Sequence, residues 1–247
     1  KVRIGPFRPV SVSQGFCNFR TIRIPKSQHS AKSNNRKGSV VMNETTRTSF
    51  ASRKATLKTI TKIALLAAVS TVLMLFEFPL WFAPPFYKID LSEVAVLIGG
   101  FALGPVAGAV IELIKVLLNL LIDGTMTGGI GEFANFVVGC SLVLPAAAIY
   151  RHRRTFKSAV IGMMAGTVSL TIVGSAMNYF LLLPVYARVY GIPIEALIEM
   201  GTAVNKSITD LKSFVLLAVA PFNFVKGVIT SILTVLLYKR VSSILQR

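Results

Sequence analysis

This 247-residue sequence predicts an all-α integral membrane protein, a bundle of six transmembrane helices, and three observations carry that prediction. Charged residues make up only 15% of the chain and hydrophobic ones 53%, whereas a soluble domain has about a quarter of its residues charged. Long apolar runs bordered by aromatic residues recur between Leu57 and Tyr238. The net charge of +17 is also unevenly spread. Residues 1–62 hold 14 Lys/Arg against one acid, Glu44, and the rest of the chain holds 13 against nine. That composition excludes a soluble enzyme, a disordered protein and a disulfide scaffold. A nucleic-acid binder is excluded too, because the basic excess belongs to the tail rather than to the apolar body.

Taken in order, residues 1–56 are rich in Ser, Arg, Lys, Asn and Thr, lack apolar periodicity, and are expected to be disordered. Such basic, acid-poor composition also describes a transit peptide. A simpler reading starts translation at Met42, leaving residues 1–41 outside the protein proper. The membrane domain is then 57–240, followed by a short cytoplasmic end, 241–247. A span needs about 20 mostly apolar residues. Leu57–Phe76, Phe133–Tyr150, Ala159–Tyr186 and Ser213–Tyr238 qualify. Val94–Ile122 is too long for one span and short for two, and Gly104-Pro105 breaks it near the middle, which predicts a tight hairpin of short helices.

Loop charge fixes the count. Both the basic tail and the cluster Arg151, Arg153, Arg154 and Lys157 belong on the cytoplasmic side, so an even number of crossings separates them. The hairpin supplies four, and two more return the C-terminus with Lys239, Arg240 and Arg247 to the inside. Six helices with both termini cytoplasmic satisfy this rule. Gly100, Gly104 and Gly108, and likewise Ala64 and Ala68, recur at four-residue spacing, which lets backbones approach closely in lipid. The glycines read as packing inside the hairpin. The alanine face fits either internal packing or contact with another protein.

Charged residues at membrane depth default to functional hypotheses. Lys226 lies 13 residues from both Ser213 and Lys239. That is about 20 Å from either end at 1.5 Å per residue, beyond the reach of a snorkelling stem. Asn223 precedes it by three residues on the same face, and Pro221 frees a backbone carbonyl nearby. Two readings stand: a ligand-binding cluster, or a structural pair between Lys226 and Glu112, the one deep carboxylate in the apolar runs. Asn178 is a second deep amide, read as an interhelical hydrogen bond or a ligand contact. Glu112 and Lys115 are three apart and are expected to neutralise each other. Phe76–Tyr87 holds six aromatics and three prolines (Pro79, Pro84 and Pro85), and reads as an interfacial belt or as a stiff cover over a pocket. Asp90-Leu91-Ser92-Glu93 resembles a helix N-cap with a capping-box acid.

Catalytic signatures are missing from the sequence. His29 lies in the tail and His152 in a loop, HExxH and the GxxxxGK[ST] phosphate loop are absent, and Gly128-Gly129-Ile130-Gly131 lacks a flanking strand. Cys17 and Cys140 have no metal-ligand spacing, and a disulfide between them is not expected. No catalytic residue, metal or resident cofactor is therefore assigned.

An ordered set of segments resembles a known family: Phe78-Pro79, Lys88-Ile89-Asp90-Leu91-Ser92, Gly104-Pro105-Val106-Ala107-Gly108, Glu132-Phe133-Ala134-Asn135-Phe136, Asn178-Tyr179-Phe180 and Pro221 to Gly227. Together they are similar to the substrate-binding S components of energy-coupling factor (ECF) vitamin transporters, of the riboflavin-specific type. The resemblance implies a vitamin pocket near the extracellular side, capped by the loop after the first helix. It implies that Asn178, Asn223 and Lys226 hold the isoalloxazine ring, with Asn135 a weaker candidate. Leu80, Trp81 and Phe82 would then provide apolar walls. It further implies that Ala64 and Ala68 meet a membrane-embedded T component, that two cytoplasmic ATPases supply energy, and that the loaded subunit tips over in the bacterial plasma membrane.

Two other readings stay open on the residues alone: the same fold with another vitamin such as thiamine or biotin, or an autonomous ion-coupled carrier using Lys226 and Glu112. An ammonium already clasped by a protein acid, with no slot beside it, would remove the ligand reading.

Overall fold

The computed structural model describes residues 56–245 except 85, 126–127 and 192. The expectations for the basic tail, its disorder and a start at Met42 fall outside the described residues, save that Thr56 already belongs to a helix. The first helix, α1 (Thr56–Met74), leads into a short antiparallel ribbon of β1 (Phe78–Pro79) and β2 (Lys88–Ile89), with Phe78 opposite Ile89 and Pro79 opposite Lys88. Next come α2 (Ser92–Leu103), α3 (Pro105–Asp123), α4 (Ile130–Arg153) and α5 (Phe156–Met177). A π-helical turn, Asn178–Leu182, joins α5 to α6 (Leu183–Tyr190). After α7 (Ile194–Val204), the short α8 (Leu211–Phe214) runs through a second π-helical turn, Val215–Val219, into α9 (Ala220–Leu245).

Five described helical segments are long and apolar enough to cross a membrane: Thr56–Met74, Pro105–Asp123, Ile130–Arg153, Phe156–Val189 and Leu211–Tyr238. The sequence reading drew four of these regions with ends shifted by a few residues, and placed the fifth, Pro105–Asp123, as the second half of its Val94–Ile122 hairpin. Outward-facing Leu65, Val72, Leu117, Leu121, Ile172, Ile232 and Leu236 leave an apolar surface suited to lipid. This is a nearly all-helical, multi-pass membrane protein.

The predicted hairpin is present. Gly104 ends α2 with φ +104°, a value that L side chains rarely adopt, and Pro105 starts α3, where its missing N–H leaves no intrahelical bond unmade. Gly100 and Gly108 face each other across it, as the spacing predicted. With 12 residues, α2 is too short to qualify as a span by the length criterion that the other five meet, and ten of its residues are buried. The capping expectation is corrected in part: Leu91, not Asp90, occupies the N-cap position and makes no side-chain cap, but Asp90 Oδ1 still accepts from the Ser92 N–H, the first of α2, at 2.9 Å. Ser70 Oγ on α1 donates to the Ser92 carbonyl at 2.8 Å, tying the two helices together.

One core cluster joins Ala67 of α1, Leu97 of α2, Ile111 of α3, Val143 and Ala147 of α4 and Leu170 of α5. A second gathers Leu183, Leu197, Ile208, Phe214 and Val219, and a third joins Ala83, Ile89 and Phe222. Between α4 and α5 the backbones touch: a Cβ on Gly162 would stand 2.6 Å from the Ala146 carbonyl oxygen, and one on Gly166 would stand 2.5 Å from that of Leu142. A rigid carbonyl cannot step aside as a side chain can. Gly166→Leu is therefore expected to cost about 1–3 kcal/mol as overpacking, read as a lowered thermal unfolding midpoint in detergent. An unchanged midpoint would refute this helix spacing.

Candidate functional site

A cavity of about 240 Å³ opens where these clusters meet. Met74 of α1, Tyr87 just before β2, Lys88 of β2, Asp90, Asn135 of α4, Asn178 of the first π-helical turn, and Phe222, Asn223 and Lys226 of α9 all contribute to its wall. The four polar residues singled out in the sequence (Asn135, Asn178, Asn223 and Lys226) thus reach one space from three different helical segments.

Two of these amides are seated by one glycine. Asn178 Nδ2 donates to the Gly174 carbonyl at 2.8 Å. The Asn223 amide lies so close to Gly174 that a Cβ there would be 2.8 Å from Oδ1 and 2.9 Å from Cγ. Asn223 Nδ2 donates to the Val219 carbonyl at 2.9 Å. Each amide nitrogen carries a second N–H, so both side chains keep hydrogen-bonding capacity for a guest. Asn178 Oδ1 accepts from the Tyr87 hydroxyl at 2.7 Å. Tyr87 is fixed by ring contacts with Phe86 at 4.6 Å and Phe222 at 5.1 Å between centroids.

Lys226 pairs with Asp90, Nζ to Oδ2 3.1 Å, with the two side chains 13% and 10% exposed. The alternative pairing with Glu112 is therefore corrected. Glu112 instead lies 2.7 Å from Lys115, as its three-residue spacing predicted, and Glu93 joins the same ammonium at 2.9 Å. Glu93, expected in a capping box, serves this buried cluster. Asp90 Oδ1 accepts from the Ser92 backbone N–H at 2.9 Å and from the Ser92 hydroxyl, and Lys115 reaches that hydroxyl at 3.3 Å. At the edge of the cavity Lys88 meets Glu77 at 2.9 Å, and that hydrogen bond and charge hold the exposed Lys88 ammonium above its ordinary pKa. The ammonium is thus clasped by an acid, yet the cavity lies directly beside the pair.

Leu80, Trp81 and Phe82 do not line this cavity. Trp81 is 91% exposed, whereas Leu80 and Phe82 pack against the Ala83, Ile89 and Phe222 cluster behind it. The aromatic wall consists of Phe86, Tyr87, Tyr186 and Phe222. Phe86 and Tyr87 belong to the aromatic segment noticed in the sequence, but spacing alone did not say which of its rings turn inward. Gly174 and Asp90 were missed as site residues. Ala64 and Ala68 lie in the middle of α1 and are both exposed.

A helical membrane bundle with polar side chains converging on a cavity between its helices has the architecture of a membrane-embedded solute-binding protein. Residues 58–238 match the family of the substrate-specific component of ECF transporters, and the chain belongs to that family. Its relatives include the riboflavin transporter RibU of Staphylococcus aureus (strain TCH60), 38% identical over 190 residues that cover 77% of this chain and 93% of that protein. The riboflavin transporter FmnP of Bacillus subtilis (strain 168) is 32% identical over 182 residues, 73% of this chain and 90% of that one. A solved structure described as the S component of a bacterial ECF transporter aligns with a TM-score of 0.60 at 37% identity, covering 77% of this chain and 98% of that one.

Breaking a buried pair by neutralising one partner typically costs about 3–5 kcal/mol, because the other charge is stranded. Asp90→Asn is expected to lower the thermal midpoint strongly, and Asp90→Asn combined with Lys226→Met to recover most of the loss. If the double variant is as unstable as the two single losses added together, the pairing is wrong.

Proposed function

We propose that this chain is the riboflavin-binding S component of an ECF-type ABC transporter, and that the isoalloxazine ring occupies the cavity beside Lys226. The observation that carries the reading is the convergence of Asn135, Asn178, Asn223 and Lys226 on one aromatic-walled cavity, in a chain whose relatives are riboflavin transporters. A flavin's pyrimidine-dione edge presents one N–H donor between two carbonyl acceptors. The Asn223 Oδ1 suits that N–H, the spare amide hydrogens suit a carbonyl, and Lys226 adds a charge-assisted donor. The tricyclic body then lies against Tyr87, Phe222 and Tyr186.

At about 240 Å³ the cavity is smaller than the usual 300–1,000 Å³ of ligand pockets. Binding therefore requires the Tyr87 side to give way: the ligand takes over the Asn178 hydrogen bond that Tyr87 now occupies and shares Lys226 with Asp90. Leu80 and Phe82 support the wall from behind, and Trp81 is free to close over an occupied pocket.

The same reading sets topology and partners. The buried α2 is the sixth membrane element, both termini are cytoplasmic, and the bilayer is the cell membrane. The exposed Ala64 and Ala68 receive a T component, and two ATPase subunits supply the hydrolysis for uptake. Small residues there permit the close helix approach that association in lipid needs.

Purified protein is expected to carry flavin, seen as yellow colour and identified by mass spectrometry. Lys226→Met, Asn223→Ala and Gly174→Ala are each expected to weaken riboflavin binding at least tenfold, measured by quenching of flavin fluorescence. Unaltered affinity in all three would place the ligand elsewhere. Ala64→Leu and Ala68→Leu are expected to leave binding intact and impair ATP-dependent uptake in vesicles containing the full transporter. Normal uptake by both would remove α1 from the coupling interface.

A further inference from the structure

The turn between α4 and α5 joins two candidate spans, Ile130–Arg153 and Phe156–Val189, and so lies at a bilayer surface. It carries Arg151, Arg153, Arg154 and Lys157 within seven residues. All four are exposed, and none has an ion-pair partner among the described residues. The turn is well fixed: Arg154 takes a left-handed backbone at φ +42°, Thr155 Oγ1 accepts from the Ser158 N–H, and Ser158 Oγ donates to the Ile149 carbonyl at 2.8 Å. Beside it opens a cavity of about 890 Å³ whose wall includes His152, Arg153, Thr155, Lys157 and Ile161.

A second, apolar groove of about 420 Å³ runs between α5 and α9, lined by Met164, Val168, Phe224, Val228 and Ile232 among others. The two spaces share one face of α5. Lys157 and Ile161 border the basic cavity and Met164 and Val168 the groove, at spacings of four, three and four residues. From Lys157 to Val168 is 11 residues, about 16 Å of helix, which is close to half of the roughly 30 Å hydrocarbon core.

We propose that the basic cavity and the apolar groove together bind an anionic phospholipid, with the phosphate held by Arg153, Lys157 and His152 and one acyl chain lying along Met164 and Val168. Charge selects this occupant. A zwitterionic headgroup offers no net charge to offset the cation cluster, and a soluble anion makes no use of the groove. Cation clusters at the cytoplasmic surface attract anionic lipids in this way, each side chain within a Debye length of the surface contributing.

The test uses the full purified chain in detergent, titrated with phosphatidylglycerol or phosphatidylcholine of identical acyl chains and read by native mass spectrometry. Phosphatidylglycerol adducts are expected to exceed phosphatidylcholine adducts at least fivefold. Arg153→Gln with Lys157→Gln is expected to abolish that preference, and Met164→Trp, which fills the groove, to reduce adducts of both lipids. Riboflavin binding in each variant reports that the protein is folded. Equal retention of the two lipids, or a preference unchanged in the double variant, overturns the proposal. So does displacement of phosphatidylglycerol by inorganic phosphate but not by chloride of equal ionic strength, with Met164→Trp without effect, which assigns the cavity to a soluble anion.

Discussion

The Lys226–Asp90 ion pair is the constraint on which the rest of the site depends. An ammonium in the middle of a helix that crosses hydrocarbon must find a counter-charge or water, and here an acid 136 residues away supplies it at 3.1 Å. The pair is one end of a polar seam. Asp90 is held by Ser92, Ser92 receives Lys115, and Lys115 holds Glu93 and Glu112. Through these contacts α9, the ribbon end, α2 and α3 are registered against one another, and Ser70 adds α1. Such a network specifies one arrangement of helices in a solvent where apolar packing alone discriminates weakly between alternatives. Because the cavity lies on the Lys226 side of the seam, a ligand that recruits this ammonium also acts on the loop that holds Asp90.

Much of the fold was legible because lipid imposes strong rules on sequence. The spans show as apolar windows of about 20 residues, and Gly104-Pro105 marks the hairpin by chemistry that leaves few alternatives. The deep polar residues were legible for the same reason: Asn178, Asn223 and Lys226 stand out against hydrocarbon, and they do converge. Long-range pairing was not legible. Glu112 was the obvious partner for Lys226 by depth, but Lys115 one helical turn away claims it first. Asp90, in a motif shaped like a helix cap, carried no sign that its carboxylate turns toward α9. Trp81 shows the same limit, since the resemblance placed it among the walls and its ring faces outward here.

The two π-helical turns share a cause that sequence periodicity did not reveal. The first ends at Leu182, two residues before Pro184, and the second at Val219, two residues before Pro221. A proline inside a helix cannot donate to the residue one turn earlier and clashes with its carbonyl, and a wider turn relieves both problems. The widening has a local effect on the site. Asn178 opens the first turn and Asn223 lies four residues beyond the second, so each candidate ligand amide sits next to a distortion that re-aims its helix face. Gly174 then provides the space in which the two amides meet.

The shortness of α2 explains how a loop carboxylate reaches a lysine at membrane depth. Its 12 residues give about 18 Å of helix, against a hydrocarbon core of roughly 30 Å. If one end of α2 lies near a bilayer surface at Gly104, the other end, where Asp90 sits, stops well short of the opposite surface. The ribbon formed by Phe78–Pro79 and Lys88–Ile89 precedes α2, with Ile89 buried in the Ala83, Ile89 and Phe222 cluster while Phe78, Pro79 and Lys88 stay exposed. Irregular backbone in a membrane bundle is tolerated where it lines a cavity, and Tyr87, Lys88 and Asp90 line this one. Completing α2 to a full span would satisfy the backbone more simply, but it would carry Asp90 away from Lys226 and close the space in which the four polar side chains meet.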